Sequence, residues 1–295
     1  MKELNVELKK HLKRIKLFPK GGVALGGLTG QYVSVFKGKG MEFTGYRKYD
    51  KTDDAGNIDW KASLRAGDIL IRELVEERNI EVVFAFDVSS SMSFASTEKL
   101  KNEYAAELIA TLSFSILQSG DAAGLVMFTD KIVKIIPPTI GNRQYFTITK
   151  SLTNPRLYDG KVDYENALGF LVRFARKNST LIIVSDFIGL NGNWDRHLGM
   201  LAQKCDLIGI VVRDPHDNIL PDVGQIAISD PFSDQEMVVD TKKVKRLFEQ
   251  QAKAQLEHVR ETFKKLKADF IELSTEQPFS NEITSFFKKR KEKWR

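Results

Sequence analysis

The run EVVFAFDVSSSM, residues 81–92, ends an apolar stretch on an aspartate and follows it with serines at two-residue spacing. In a turn of this kind Asp87, Ser89 and Ser91 curl toward one point and offer one carboxylate and two hydroxyls. A second apolar run, STLIIVSD at 179–186, ends on Asp186. Side chains at the carboxyl ends of strands in an open α/β sheet point into a common crevice, so the two aspartates are expected to meet there. Oxygen donors of this type suit a hard cation, magnesium first, with manganese or calcium as alternatives. A dication beside one directly bound carboxylate, neutral hydroxyls and water keeps a net positive charge. Its open position can then accept an aspartate or glutamate of another protein. The other use of the same residues is a turn in which Asp and Ser cap backbone amides.

Catalytic chemistry has little to stand on. His11, His197, His216 and His258 are scattered and none neighbours a serine of the turn, so no activated Ser-His pair is legible. A phosphatase with Asp87 as nucleophile calls for a second acid two residues on, where Ser89 stands. The expectation is a protein that is not an enzyme. Two readings of other classes stay open. One is a metal-dependent phosphohydrolase built on Asp87 and Asp186. The other is nucleic-acid binding through the basic ends, where the tail KKRKEKWR holds six basic residues in eight.

The elements that must position these residues alternate regularly from residue 80 onward. Strand-like runs are IEVVFAFD (80–87), AAGLVMFT (122–129), KIVKIIP (131–137), STLIIVSD (179–186), DLIGIVVRD (206–214) and DFIEL (269–273). Several are apolar without alternation, as strands buried on both faces are. Asp130 and Lys131 separate the second and third runs so briefly that a hairpin is predicted, hence one antiparallel edge strand. Between the runs lie helical patterns. The first is capped by Ser96 or Thr97, aligns Leu100, Tyr104, Leu108 and Leu112, and ends at Gly120. Others cover 165–177 and 193–204, a long one begins after Asp240 or Thr241, and a last one covers 281–291. This order predicts an α/β, doubly wound, mostly parallel sheet.

Upstream, residues 4–18 set Leu4, Leu8, Leu12 and Ile15 on one stripe among lysines and Arg14, a basic amphipathic helix that suits docking on the protein itself or peripheral contact with an anionic membrane. Residues 20–45 hold eight glycines between short β-branched or aromatic pieces, the pattern of loops and hairpins, without a nucleotide-binding glycine motif. Residues 46–78 carry Arg47, Asp50, Asp53, Asp54, Asp59, Lys61, Arg65 and Arg72 around Trp60, which predicts an ion-pair network. Residues 1–78 are therefore expected to form a small N-terminal extension and 79–295 the main domain.

With 295 residues, 42% of them hydrophobic, the chain can bury a genuine core. Lysine and arginine outnumber aspartate and glutamate 45 to 39, a modest surplus that hints at acidic partners. No apolar run approaches the ~20 residues that cross a bilayer, and the charged N-terminus lacks the apolar stretch of a secretory signal, so a cytoplasmic protein is expected. Cys205 stands alone, which excludes an intrachain disulfide and a cysteine metal cluster.

Followed by Met92, the D-x-S-x-S turn resembles the metal-ion-dependent adhesion site of von Willebrand factor A-type domains. The chain from about residue 20 to its end resembles, more narrowly, the bacterial and archaeal family named domain of unknown function 58. The likeness lies in EFTGYRKYDKTDDAGNIDWKASLRAGDILIRELVEERN (42–79), running into the strand at 80–87, and in the closing DFIELSTEQPFSNEITSFFKKR (269–290). The resemblance implies a von Willebrand factor A-like fold in which Asp87, Ser89, Ser91 and Asp186 are metal ligands. Its third motif has threonine and then aspartate ahead of a helix. Here DGKVDYENAL has Val162 at the threonine position and Asp163 after it. Valine offers no oxygen, so this copy has one direct ligand fewer unless Asp163, Asp159 or a water takes the place. The charged segment also departs, with Thr52 and Asn57 where glycine and arginine are typical. The resemblance further implies a non-enzymatic protein–protein interaction module. It would act, in chaperone-like fashion, as an adaptor or cofactor for a MoxR-type AAA+ ATPase in the assembly or maturation of other proteins.

Overall fold

The structure is a computed structural model and describes residues 40–50, 53–77, 80–229 and 236–293. The basic helix expected at 4–18, most of the glycine-rich stretch and the last two residues of the tail lie outside the described residues. Two compact units are present, one within residues 21–80 and one from Glu81 onward.

In the smaller unit, β1 (Gly40–Lys48) pairs antiparallel with β2 (Leu70–Glu77), and α1 (Trp60–Ala66) lies in the connection. Asp59 caps α1 by accepting the Lys61 and Ala62 amides, both at 3.1 Å, and Gly67 ends it in the left-handed region at φ 71°. Members of the expected ion-pair network are in place among the described residues. Arg47 grips Asp53 through two bonds of 2.6 Å, which pull the Asp53 carboxyl down to about 2. Lys48 meets Asp68 at 2.8 Å, whereas Asp54 and Asp59 serve as helix caps.

The larger unit is built on six strands: β3 (Glu81–Asp87), β4 (Ala122–Phe128), β5 (Ile132–Thr139), β6 (Thr180–Ser185), β7 (Asp206–Arg213) and β10 (Asp269–Ser274). Two short strands, β8 (Gln225–Ser229) and β9 (Glu236–Asp240), form a separate hairpin. The sheet order is β10-β7-β6-β3-β4-β5, parallel throughout except that β5 runs antiparallel to β4 at one edge. The predicted doubly wound sheet and its antiparallel edge strand are thus observed. β3 lies between β6 and β4, which explains why its sequence is apolar at every position from Val82 to Phe86.

Helices cover both faces. On one, α4 (Tyr164–Phe174), α5 (Trp194–Lys204) and α7 (Thr241–Lys265) pack on Val83, Ala85, Leu181, Ile183, Leu207 and Val211. On the other, Ile116 of α2 (Lys101–Gln118) and Phe287 of α8 (Phe279–Lys293) line a small cavity with Val82, Ile182 and Ile208, and α3 (Asn142–Leu152) lies beside α2. A short helix, α6 (Pro215–Asn218), follows β7. No helix among the described residues is long and apolar enough to cross a membrane.

One expectation is corrected here. α2 begins at Lys101 and not beside Ser96 or Thr97, because those side chains are tied elsewhere: Ser96 to Asp214, and Thr97 to the Lys99 carbonyl and Thr275. One cation of the basic tail is held inside the fold. Arg290 is buried, paired with Asp206 and lying 3.3 Å from Asp269, so its charge is committed within the fold.

Close packing gives one stability prediction. A β-carbon on Gly209, in the middle of β7, would sit 2.5 Å from the fully buried Phe263 ring. Gly209→Ala is therefore expected to cost about 1–3 kcal/mol, read as a lower urea midpoint at unchanged m value. An unmoved midpoint would contradict the contact.

Candidate functional site

Asp87, the last residue of β3, is fully buried. Its Oδ1 accepts the Ser89 amide at 3.0 Å, the local bond that the D-x-S spacing predicts. Its Oδ2 accepts the Ser185 hydroxyl at 2.8 Å and the Tyr164 hydroxyl at 3.1 Å. Ser185 ends β6, the neighbouring strand, and Tyr164 opens α4. The Ser89 and Ser91 hydroxyls lie 3.1 Å apart, the first buried and the second half-buried. The predicted turn is therefore formed, and its two hydroxyls are together.

Asp186 follows β6 and is also fully buried. Its Oδ1 accepts the Ile188 amide at 2.9 Å, and its Oδ2 accepts the ammonium of Lys101 at 2.8 Å. The same ammonium, only 1% exposed, reaches the two oxygens of Asp217 at 3.0 and 2.8 Å. Phe187 holds the turn after Asp186 in a left-handed conformation, φ 51°, which a bulky residue adopts only when its surroundings impose it. Its ring supplies that constraint, stacking on Tyr164 at 6.0 Å and meeting Phe263 edge-on at 5.8 Å.

The third-motif loop lies against the serine turn through Ser90. The Ser90 amide donates to the Gly160 carbonyl at 2.9 Å, and its hydroxyl donates to Asp159 Oδ1 at 3.2 Å. Asp163 caps α4 instead, accepting the Asn166 amide at 3.0 Å and the Asn191 side chain at 3.1 Å. Val162 is partly buried against the apolar core.

Burial first, and the charge of Asp186 second, push the Asp87 carboxyl up to about 6, while hydrogen bonds from Ser89 pull it the other way. Burial also holds the Tyr164 hydroxyl well above its ordinary range, so it stays a neutral donor. The rim thus carries two buried carboxylates, with a single ammonium shared between Asp186 and Asp217.

Donor type and charge together decide whether a hard cation fits here. Asp87, Ser89 and Ser91 are oxygen donors on one turn, and the excess negative charge that raises Asp87 is what a cation would relieve. Among the described residues no third acid or histidine joins the two aspartates in a metal-holding group, and Asp163 is engaged as a cap. The residues therefore fit a weakly held cation that keeps much of its water.

Lys101, Asp217, Tyr164 and Ser185 were not picked out by sequence reasoning as parts of the site. The one available signal was Lys101, a lysine leading into a helix whose second half is apolar nearly all round.

A family model described as protein of unknown function DUF58 matches residues 45–258. Uncharacterized protein Mb1516 of Mycobacterium bovis is 27% identical over 270 residues, 90% of this chain and 84% of that protein. Among solved structures, the conserved hypothetical protein BatB from Bacteroides thetaiotaomicron is 16% identical at a TM-score of 0.48, over 72% of this chain and 98% of that one. A von Willebrand factor type A structure from Catenulispora acidiphila is 14% identical at a TM-score of 0.36, over 47% and 34%. With nearly three-quarters of its length matched by one family model, the chain belongs to the DUF58 family.

Proposed function

We propose that this chain is a non-enzymatic protein-interaction module that takes an acidic side chain of a partner protein at the strand-end crevice. In this reading a divalent cation, magnesium first, rests on Asp87, Ser89 and Ser91 with Asp186 behind them. When bound, the ion supplies positive charge with an open position for the partner's carboxylate. The chain's own residues do the rest. Tyr164 and Ser185 orient Asp87, Phe187 fixes Asp186, and Phe94, 45% exposed just beyond the turn, offers apolar contact to a docked protein. The observation that carries the reading is Asp87 itself, a fully buried carboxylate at a strand end pushed toward neutrality, with two hydroxyls beside it. By family resemblance the partner is a MoxR-type AAA+ ATPase or its client, and the module acts in assembly or maturation.

The phosphohydrolase reading has less support. Both oxygens of Asp87 already accept hydrogen bonds, and among the described residues no hydrogen bond joins a histidine to Ser89, Ser90 or Ser91. Phosphate-ester turnover that disappears with Asp87→Ala would restore it.

The test is retention of the MoxR-type ATPase of the same genome on the immobilised full chain. Wild type in magnesium is expected to hold it, and both chelator and Asp87→Asn to release it; retention unaffected by either would overturn the proposal. Val162→Thr is expected to tighten magnesium several-fold by calorimetry, because it returns an oxygen to the third-motif position. An unchanged affinity would remove residue 162 from the ion's surroundings.

A further inference from the structure

A lysine that is 1% exposed is costly unless its charge is answered, and Lys101 answers its own with two carboxylates, Asp186 just after β6 and Asp217 in the short helix α6 that follows β7. Three contacts, to Asp186 Oδ2, Asp217 Oδ1 and Asp217 Oδ2, match the three donors of an ammonium. Asp186 is left with both oxygens engaged, one by Lys101 and one by the Ile188 amide. A cation entering beside Asp87 must therefore share Asp186 with a fixed positive charge that repels it.

We propose that Lys101 is the crevice's built-in counter-ion, competing with a divalent cation for Asp186 and so setting how tightly the crevice holds it. The inference rests on the cation reading above and deepens it. Counting Asp87, Asp186, Asp217 and the ammonium, the empty crevice carries two net negative charges, and a dication brings it to neutral with its open position facing the partner. Without the ammonium the loaded crevice would keep one net negative charge and would hold the ion more firmly but the partner's carboxylate less. Asp217 is the lever in this balance, since it draws the ammonium away from Asp186. Its helix is fixed in turn by the Asp214 amide, 2.9 Å from Asp217 Oδ2, and Asp214 accepts the Ser96 amide at 2.7 Å in the segment that leads from the serine turn to α2.

Calorimetric titration of the chelator-stripped full chain with magnesium and with manganese tests this. Lys101→Met is expected to bind tighter than wild type by about tenfold or more. Adding Asp186→Asn to it should abolish the gain. Asp217→Asn leaves the ammonium to Asp186 alone and is expected to weaken binding several-fold, while the substituted amide still accepts the Asp214 N–H. Lys101→Gln replaces Lys101→Met should the latter not fold. Tighter binding by the lysine variant, with none by wild type, supports the inference and overturns the metal-bridged partner. Binding by wild type that the lysine variant does not improve overturns the inference and leaves the cation reading standing. No binding by either overturns both.

Discussion

Asp87→Asn is expected to raise the thermal midpoint of the metal-free chain at pH 7.5 by about 5–10 °C. Burial first and the charge of Asp186 second push the wild-type carboxyl up to about 6 in the folded protein from an ordinary 3.8. A carboxyl raised by folding costs stability above its folded pKa and costs nothing below its unfolded one. The penalty is therefore complete above about pH 7, shrinks as pH falls through 6, and vanishes near pH 4, with a full size of about 3 kcal/mol. An amide can replace the carboxylate with little loss. Its oxygen accepts the Ser89 N–H, and the Ser185 and Tyr164 hydroxyls can turn to accept from its nitrogen. Differential scanning calorimetry in chelator from pH 4.5 to 8 should show the two proteins converging at the acid end. A variant no more stable than wild type at pH 7.5 would contradict the unfavourable charge. The same substitution should abolish cation and partner binding, so stability and function move in opposite directions, as they do where a site is built against the fold's own preference.

Lys101→Met is expected to act in the other direction, with a loss of about 3–5 kcal/mol, the usual result of removing one member of a buried ion pair. The methionine fills the volume, but Asp186 and Asp217 then face each other without the ammonium they share. Unfolding in urea at pH 7.5 should show the drop in midpoint, and the triple variant with Asp186→Asn and Asp217→Asn should recover most of it. A single variant within 1 kcal/mol of wild type would mean the buried bridge contributes nothing. Magnesium should restore stability to Lys101→Met more than to wild type, since the freed carboxylates then have an ion to hold.

Much of this arrangement was legible beforehand, and the physical reasons differ element by element. Strands β3 and β6 were readable because burial on both faces makes residues 82–86 and 181–184 apolar without alternation, and the turn was readable because Asp and Ser at two-residue spacing satisfy amides locally. The β4–β5 hairpin followed from the brevity of Asp130 and Lys131. The start of α2 was misread because the residues that compete for Ser96 and Thr97, Asp214 and Thr275, lie 118 and 178 positions away in the chain. α3 escaped notice because NRQYFTITKSL buries only Gln144, Ile148, Ser151 and Leu152, too few apolar positions for a clear stripe. The Lys101 bridge was hidden for the same reason as the α2 start: its partners, Asp186 after β6 and Asp217 in α6, lie 85 and 116 positions away, and only the folded sheet brings them to one lysine. Arg290 repeats the pattern at the tail, where a run of like charges conceals one member that the fold buries.

The most direct test of the proposed crevice is to titrate manganese into isotope-labelled full-length protein and follow the loss of amide NMR signals near the paramagnetic ion. Broadening centred on residues 87–91, 159–163 and 186–188, and abolished by Asp87→Asn, is the predicted result. Broadening that gathers at other acidic positions, such as Asp53 and Asp54, or that survives Asp87→Asn, would contradict it.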